Sequence, residues 1–136
     1  MRIVLDTNVF LVSLSSFSDY TQIFDTLLAG KFTLLLSNEV LTEYEEIIGQ
    51  RYDRETVQDV LCLLVSLQNA ELITPHYHWK LIVNDPDDDK FVDLAVAGNA
   101  DFIVTNDRHF NVLVEIPFPI VRTIKAEAFM ELITLL

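Results

Sequence analysis

The 136-residue sequence has little cysteine, glycine and proline. Its single cysteine, Cys62, excludes an internal disulfide framework and a zinc site built from cysteines. With only three glycines and four prolines, and with 51% hydrophobic residues, the composition is not that of a disordered chain. No uninterrupted apolar run approaches the roughly 18 residues that a membrane span requires. We therefore expect one soluble, cytoplasmic domain over residues 1–136 with a well-filled hydrophobic core.

Positive charge is also scarce. Nine Lys and Arg residues stand against 21 Asp and Glu residues, so the formal net charge is −12. Simple nucleic-acid-binding modules neutralise phosphates with a basic surface, and this chain is a poor candidate for one. Three explanations of the excess carboxylates remain open: a solvated acidic surface, a metal site, or a surface that matches a basic protein partner.

Short apolar segments alternate with amphipathic ones along the chain. The apolar runs predict buried strands over residues 2–5, 32–36 and 101–105, with weaker candidates at 71–74 and 119–121. Helical spacing predicts helices over residues 9–28, 40–48, 53–67, 90–97 and 126–136, and a short helical turn over 107–113. Strands that alternate with helices pair in parallel through right-handed crossovers. We predict an α/β fold: a single three-layer α/β/α domain with a central, mostly parallel sheet.

Acidic residues stand where predicted strands end or a predicted helix begins. Asp6 follows the first strand and Asp107 follows the third. Because parallel strands point the same way, both side chains can project into the crevice beyond the carboxyl ends of the strands, where ligands of such sheets bind. Asp89 begins a helix at the same edge, and Glu43 lies about two helical turns after the second strand.

Each of these acids also has an ordinary structural explanation. Asp6 and Asp107 could be turn or N-cap residues, and Glu43 belongs to a run of glutamates typical of a solvated helix face. Taken together, however, four carboxylates at one sheet edge repel each other, and no Lys or Arg is placed to pair with all of them. Such a group has raised pKa values or needs a cation. Carboxylate oxygens suit Mg²⁺ or Mn²⁺, so we favour a metal site.

Four acidic motifs extend over nearly the whole chain: V-L-D-T-N-V-F, L-T-E-Y-E-E-I, D-P-D-D-D-K-F-V-D-L-A and A-D-F-I-V-T-N-D. In these motifs the sequence resembles the PIN-domain nucleases, and most of all the bacterial branch of toxins from toxin–antitoxin pairs (VapC-like). The resemblance implies a PIN-like fold. It also implies that the family's four acidic positions are Asp6, Glu43, Asp89 and Asp107 of this sequence.

The resemblance implies roles for neighbouring residues as well. Asn8 would orient the first acid, and Thr105 would bond near the metal or the fourth acid. In the run of three aspartates, Asp89 is preferred because it lies sixteen residues before Thr105, the spacing that the family motif shows. Asp93, one helical turn further along, is a candidate additional ligand.

The expected function is that of a metal-dependent endoribonuclease that uses Mg²⁺ or Mn²⁺, and the resemblance implies that cleavage leaves a 5′-phosphate. Asp6, Asp89 and Asp107 are the expected metal ligands, and Glu43 is either a further ligand or a base that orients water. The nearest cations for substrate phosphates are Lys90 and Arg108, although both could simply balance local charge. His76 and His78 are expected at the surface rather than in a metal site, and His109 is given no role.

The sequence also suggests partners and alternatives. The expected substrate is RNA, and the expected partner is a small antitoxin with a basic surface. Predicted helices 53–67 and 126–136 are apolar over more than one face, which favours a homodimer. The alternatives are a catalytically inactive PIN-like binding or assembly module and a structure-specific DNA nuclease.

Overall fold

Five short strands form one central sheet in the computed structural model, which describes residues Met1–Leu136. The spatial order of the strands is β3-β2-β1-β4-β5, and every neighbouring pair is parallel. The bounds are β1 Arg2–Leu5, β2 Thr33–Leu36, β3 Ala70–Leu72, β4 Phe102–Val104 and β5 Thr123–Ile124. The three middle strands, β2, β1 and β4, are the apolar and buried ones. This is expected for a parallel sheet that is covered on both faces.

Six α-helices and two 3-10 helices connect the strands. The α-helices are α1 Thr7–Ser13, α2 Thr21–Leu28, α3 Asn38–Gly49, α4 Arg54–Ser66, α5 Asp89–Ala97 and α6 Ala126–Ile133. The 3-10 helices are Pro86–Asp88 and Arg108–Glu115. Side-chain caps fix the starts of two α-helices: the Ser37 hydroxyl accepts the Val40 N–H at 3.2 Å, and the Asp53 carboxylate accepts the Thr56 N–H at 2.9 Å.

The core fills the space between the sheet and the helices. Leu5, Leu35 and Val104 of the central strands are almost completely buried. On the helices, the ring of Phe10 stacks on the ring of Tyr44, with 4.5 Å between centroids. This contact packs α1 against α3 and so fixes how the two helices that follow β1 and β2 meet at the carboxyl edge of the sheet.

The predicted α/β/α architecture is confirmed, and the sheet is parallel throughout. Two element predictions are wrong. The helical pattern over residues 9–28 is interrupted by turns between Ser13 and Thr21, so it forms α1 and α2. The last strand is Thr123–Ile124 rather than residues 119–121. Its hydrogen bonds with β4 begin at the Arg122 carbonyl, which accepts the Ile103 N–H.

None of the helices is both long enough and apolar enough to cross a membrane.

Candidate active site

The carboxyl ends of β1 and β4 lie side by side and bring the first acid next to a threonine. Leu5 pairs with Val104, so Asp6 and Thr105 are the next residues along the two strands. The Asp6 N–H donates to the Val104 carbonyl at 3.0 Å, and the Thr105 hydroxyl donates to Asp6 Oδ2 at 2.7 Å. Asp6 precedes α1, but its side chain makes no capping hydrogen bond. Helix capping therefore does not explain this carboxylate.

Asp6 is a buried acid surrounded by other acids. It is only 6% exposed, and burial is the main reason why its pKa rises from 3.8 to about 6. The charges of Asp107 and Glu43 raise the pKa further, while the hydrogen bond from Thr105 opposes the shift. A carboxylate that is costly to ionise lies at the centre of this sheet edge.

Glu43 reaches the same edge from α3. Its neighbour Tyr44 is fully buried and donates its hydroxyl to the Leu5 carbonyl at 2.6 Å, which ties α3 to the end of β1. The Thr7 hydroxyl donates to Glu43 Oε2, and Lys90 Nζ donates to Glu43 Oε1 at 2.7 Å. Glu43 is therefore held from two sides rather than solvated along the helix face.

Thr7 was missed by the sequence analysis, although it lies inside the first motif between two residues that were considered. Its signal was available, because Thr7 and Thr105 each stand within two residues of an acid at a strand end. The hydroxyls of the two threonines now hold Glu43 and Asp6, respectively.

Of the three consecutive aspartates, Asp88 lies with the other acids of this edge. Asp88 is 9% exposed and senses the charges of Asp6, Glu43 and Asp107, which places it among them. Asp89 instead accepts the Ile82 N–H on its Oδ1 at 2.9 Å. The assignment of Asp89 as a ligand stays a prediction, but the 3-10 turn before α5 brings Asp88 to the other acids, and Asp89 Oδ1 faces the loop before it.

Asp93 is also committed elsewhere. Its Oδ1 accepts the Trp79 N–H at 2.9 Å, and its Oδ2 lies 3.0 Å from Nδ1 of His78. The carboxylate is 5% exposed and holds the irregular segment before α5 against that helix. The structure does not bring Asp93 to the group around Asp6. His78 contacts this buried acid, while its own side chain is 60% exposed.

Asp88 has a raised pKa and a carboxylate oxygen without a partner. Burial and then the negative charge of Asp85 are the main causes that raise its pKa from 3.8 to about 7, and the charges of the other acids add to this. Its Oδ2 is buried without a hydrogen-bond partner. Buried polar atoms are normally paired, so an unpaired carboxylate oxygen among like charges fits a site for a cation.

Asp107 begins the 3-10 helix that follows β4. Its N–H donates to the Thr105 hydroxyl at 3.0 Å, and its Oδ1 accepts the His109 N–H at 2.9 Å. The capping explanation thus applies to Asp107, although its other oxygen remains available. Asp6, Asn8 and Asp107 line a cavity of about 290 Å³ at this edge.

The two predicted cations have different surroundings. Lys90 is paired with Glu43, so local charge balance accounts for its position. Arg108 is exposed and lines a smaller cavity of about 150 Å³ together with Thr105 and Lys125. Lys125 was not considered in the sequence, since it lies beyond the four motifs and only the position of β5 brings it close.

The donors at this edge fit a hard divalent cation. Asp6, Glu43, Asp88 and Asp107 supply carboxylate oxygens, and the buried Asp88 Oδ2 has no hydrogen-bond partner in the protein. Mg²⁺ and Mn²⁺ are the usual ions for such oxygen-rich sites that share substrate phosphates.

Comparison with known structures places this arrangement in a known fold. A structure of VapBC2 from Rickettsia felis, bound to a DNA fragment from their promoter, matches with a TM-score of 0.64 and 22% identity. The match covers 92% of this chain and 98% of that chain. The PIN domain of T. brucei RRP44 matches with a TM-score of 0.54 and 12% identity, over 98% of this chain and 81% of that chain.

Sequence comparison gives the family. No curated protein sequence matches this chain at a significant level. The family model described as PIN domain matches residues 2–109, which is well over half of the chain and includes Asp6, Glu43, Asp88 and Asp107. The chain belongs to the PIN domain family.

Proposed function

We propose that this protein is a metal-dependent endoribonuclease and the toxin component of a toxin–antitoxin pair. The observation that carries the proposal is the group of acids at the sheet edge. Asp6 and Asp88 are buried, and both have raised pKa values because of burial and neighbouring negative charge. A protein without use for a cation gains nothing from holding such a group, because each ionised member destabilises the fold.

The proposed ligands are Asp6, Asp88 and Asp107, with Glu43 as a further ligand or as a base that orients water. A bound Mg²⁺ or Mn²⁺ would supply positive charge at the scissile phosphate and a water of lowered pKa. Thr105 holds the Asp6 carboxylate in a fixed orientation, and Thr7 and Lys90 do the same for Glu43. Such preorganised groups are what phosphodiester hydrolysis needs, since they are not reorganised during the reaction.

Other residues have supporting parts in this proposal. Asn8 lines the cavity beside Asp6 and can contact a substrate or orient that acid. Arg108 and Lys125 line the neighbouring cavity together with Asp107. We propose them as contacts for substrate phosphates, whereas Lys90 is committed to Glu43.

The assignment to RNA and to a toxin rests on the motif resemblance and on the likeness to VapBC2. A net charge of −12 suits a partner with a basic surface, as a small antitoxin would provide. We further propose a cytoplasmic homodimer, supported by apolar side chains such as Val65 and Leu135 that α4 and the C-terminus expose.

Two alternatives use the same fold differently. A catalytically inactive binding module would not need the repelling acids, which argues against it. A structure-specific DNA nuclease would use the same chemistry on another substrate. A short neighbouring reading frame for a small DNA-binding protein would favour the toxin over both.

The test is cleavage of labelled nucleic acid by the purified protein. Single-stranded RNA and DNA of the same base sequence are incubated with and without Mg²⁺ or Mn²⁺. Cleavage of RNA that requires the metal and is lost in Asp6→Asn supports the proposal, with Asp59→Asn on the exposed face of α4 as the matched control. Cleavage of DNA alone would favour the DNA nuclease, and no cleavage of either would favour the binding module.

A further inference from the structure

His109 forms a cluster with three acids, two of which belong to the group at the sheet edge. One ligand atom each from Asp85, Asp88, Asp107 and His109 lies within 4.8 Å of all the others. His109 Nδ1 is 3.4 Å from Asp107 Oδ1 and 3.6 Å from Asp85 Oδ2. Neither Asp85 nor His109 was among the residues expected in the site.

Two polar atoms of this cluster are buried and unpaired. Asp88 Oδ2 and His109 Nδ1 have no hydrogen-bond partner, although Asp88 is only 9% exposed. Leaving such atoms unsatisfied costs free energy, so their convergence requires an explanation. Oxygen and nitrogen atoms that converge in this way are the arrangement in which a metal ion binds.

We propose that His109 Nδ1 and the Asp85 carboxylate, together with Asp88 and Asp107, bind a divalent transition-metal ion, so that the site prefers Mn²⁺ to Mg²⁺. The inference rests on the proposed function, because Asp88 and Asp107 belong to both ligand sets. It goes further by adding a nitrogen ligand and an acid outside the four expected positions.

The preference follows from the type of donor. Imidazole nitrogen binds first-row transition metals well, whereas Mg²⁺ prefers oxygen donors and retains its waters. Local structure also positions the His109 backbone: Asp107 Oδ1 accepts the backbone N–H of His109 at 2.9 Å at the start of the 3-10 helix. Asp107 thus both holds the backbone of His109 and is a proposed ligand of the same ion.

The competing explanation is that protonated His109 simply balances the negative charge. Its distances to Asp85 and Asp107 are compatible with that arrangement. The two explanations predict opposite effects of removing the imidazole. If His109 is a ligand, its loss weakens Mn²⁺ binding. If it is a counter-charge, its loss leaves more negative potential and strengthens the binding of Mn²⁺ and Mg²⁺ alike.

His109→Asn is the sharpest variant, because it places an amide oxygen on the same carbon that carries Nδ1. Calorimetric titration of the whole protein with Mn²⁺ and with Mg²⁺ gives both affinities. We expect His109→Asn to weaken Mn²⁺ binding by at least about tenfold, the smaller of the losses seen when a metal site's supporting groups are removed. Mg²⁺ binding should change much less, so the ratio of the two affinities falls.

A second readout reports the bond itself. Electron spin-echo spectroscopy of bound Mn²⁺ detects a directly coordinated nitrogen, and the signal should be present in the wild type and absent in His109→Asn. Asp85→Asn should weaken Mn²⁺ binding while retaining the nitrogen signal. The matched control is His76→Asn, since His76 is exposed and outside the cluster.

The outcomes separate this inference from the proposed function. Unchanged or tighter Mn²⁺ binding in His109→Asn, or no nitrogen signal in the wild type, overturns the histidine ligand. RNA cleavage that still depends on Mg²⁺ and on Asp6 would leave the proposed nuclease intact in that case. Conversely, a nitrogen signal in a protein that cleaves no RNA would support the metal site and refute the nuclease.

Discussion

Replacing Asp6 by Asn should stabilise the metal-free protein. Asp6 is the most buried acid of the site. The charge of Asp6 is costly in the fold because it is buried and faces Asp107 and Glu43. Asn removes that charge and keeps an oxygen that can accept the Thr105 hydroxyl, which now donates to Asp6 Oδ2 at 2.7 Å. The two amide hydrogens would face carboxylates, which accept hydrogen bonds.

The magnitude follows from the pKa of Asp6, which rises from 3.8 to about 6 on folding. At about 1.4 kcal/mol for each pKa unit, ionised Asp6 destabilises the fold by roughly 3 kcal/mol. Because the folded state holds the proton more tightly, this penalty is absent below about pH 4, grows between pH 4 and 6, and is complete above about pH 6. In a domain of this size, 1 kcal/mol shifts the melting temperature by roughly 2–4 °C.

Thermal melts in the presence of a chelator test this reasoning. At pH 8 we expect Asp6→Asn to melt several degrees above the wild type, and at pH 4 we expect the two to coincide. Saturating Mn²⁺ should raise the melting temperature of the wild type by mass action and that of the variant much less. Asp59→Asn, an exposed acid on α4, should change none of these values. A variant that melts below the wild type at pH 8, or a difference that does not depend on pH, would refute the account.

Other expectations concern the third acid, salt and assembly. Asp88→Asn should lower RNA cleavage by about a hundredfold or more, the usual effect of losing a preorganised electrostatic group, whereas Asp89→Asn should retain most activity and lose stability instead. Equal losses of RNA cleavage by the two variants in single-turnover assays would contradict this distinction. The rate of RNA cleavage should fall only slightly between low and physiological salt, because few basic residues contact phosphate. The rate of association with a basic antitoxin should fall steeply over the same range. A steep fall in the cleavage rate would reveal an unrecognised basic groove. Light scattering at tens of micromolar should give the mass of a dimer, and a monomer mass would refute the predicted assembly.

The sequence predicts the sheet well because its strands end where apolar residues give way to polar ones. The run before Asp6 and the run before Thr105 are buried on both faces, so periodicity alone identifies them. Local capping chemistry likewise marks the starts of helices, as Ser37 does for α3. Since parallel strands share a carboxyl edge, these local signals were enough to bring Asp6 and Asp107 together.

The choice between Asp88 and Asp89 could not be made in the same way. Three aspartates in succession have the same composition and nearly the same spacing to Thr105. Which of them faces the site depends on the 3-10 turn Pro86–Asp88, which sets the angle at which the chain enters α5. That geometry depends on packing against the irregular segment 73–82, where the sequence has no periodicity to interpret.

The irregular segment explains why acids on α5 are more numerous than a metal site requires. Backbone N–H groups outside helices and sheets still need acceptors. Asp93 accepts the N–H of Trp79 and Asp89 accepts the N–H of Ile82, so both carboxylates are used in holding the loop to the helix. An acidic motif therefore mixes two kinds of residue that look alike in sequence. What separates them is the partner of each oxygen: a carboxylate that accepts backbone N–H groups is structural, and one left buried and unpaired, as in Asp88, is available for a cation.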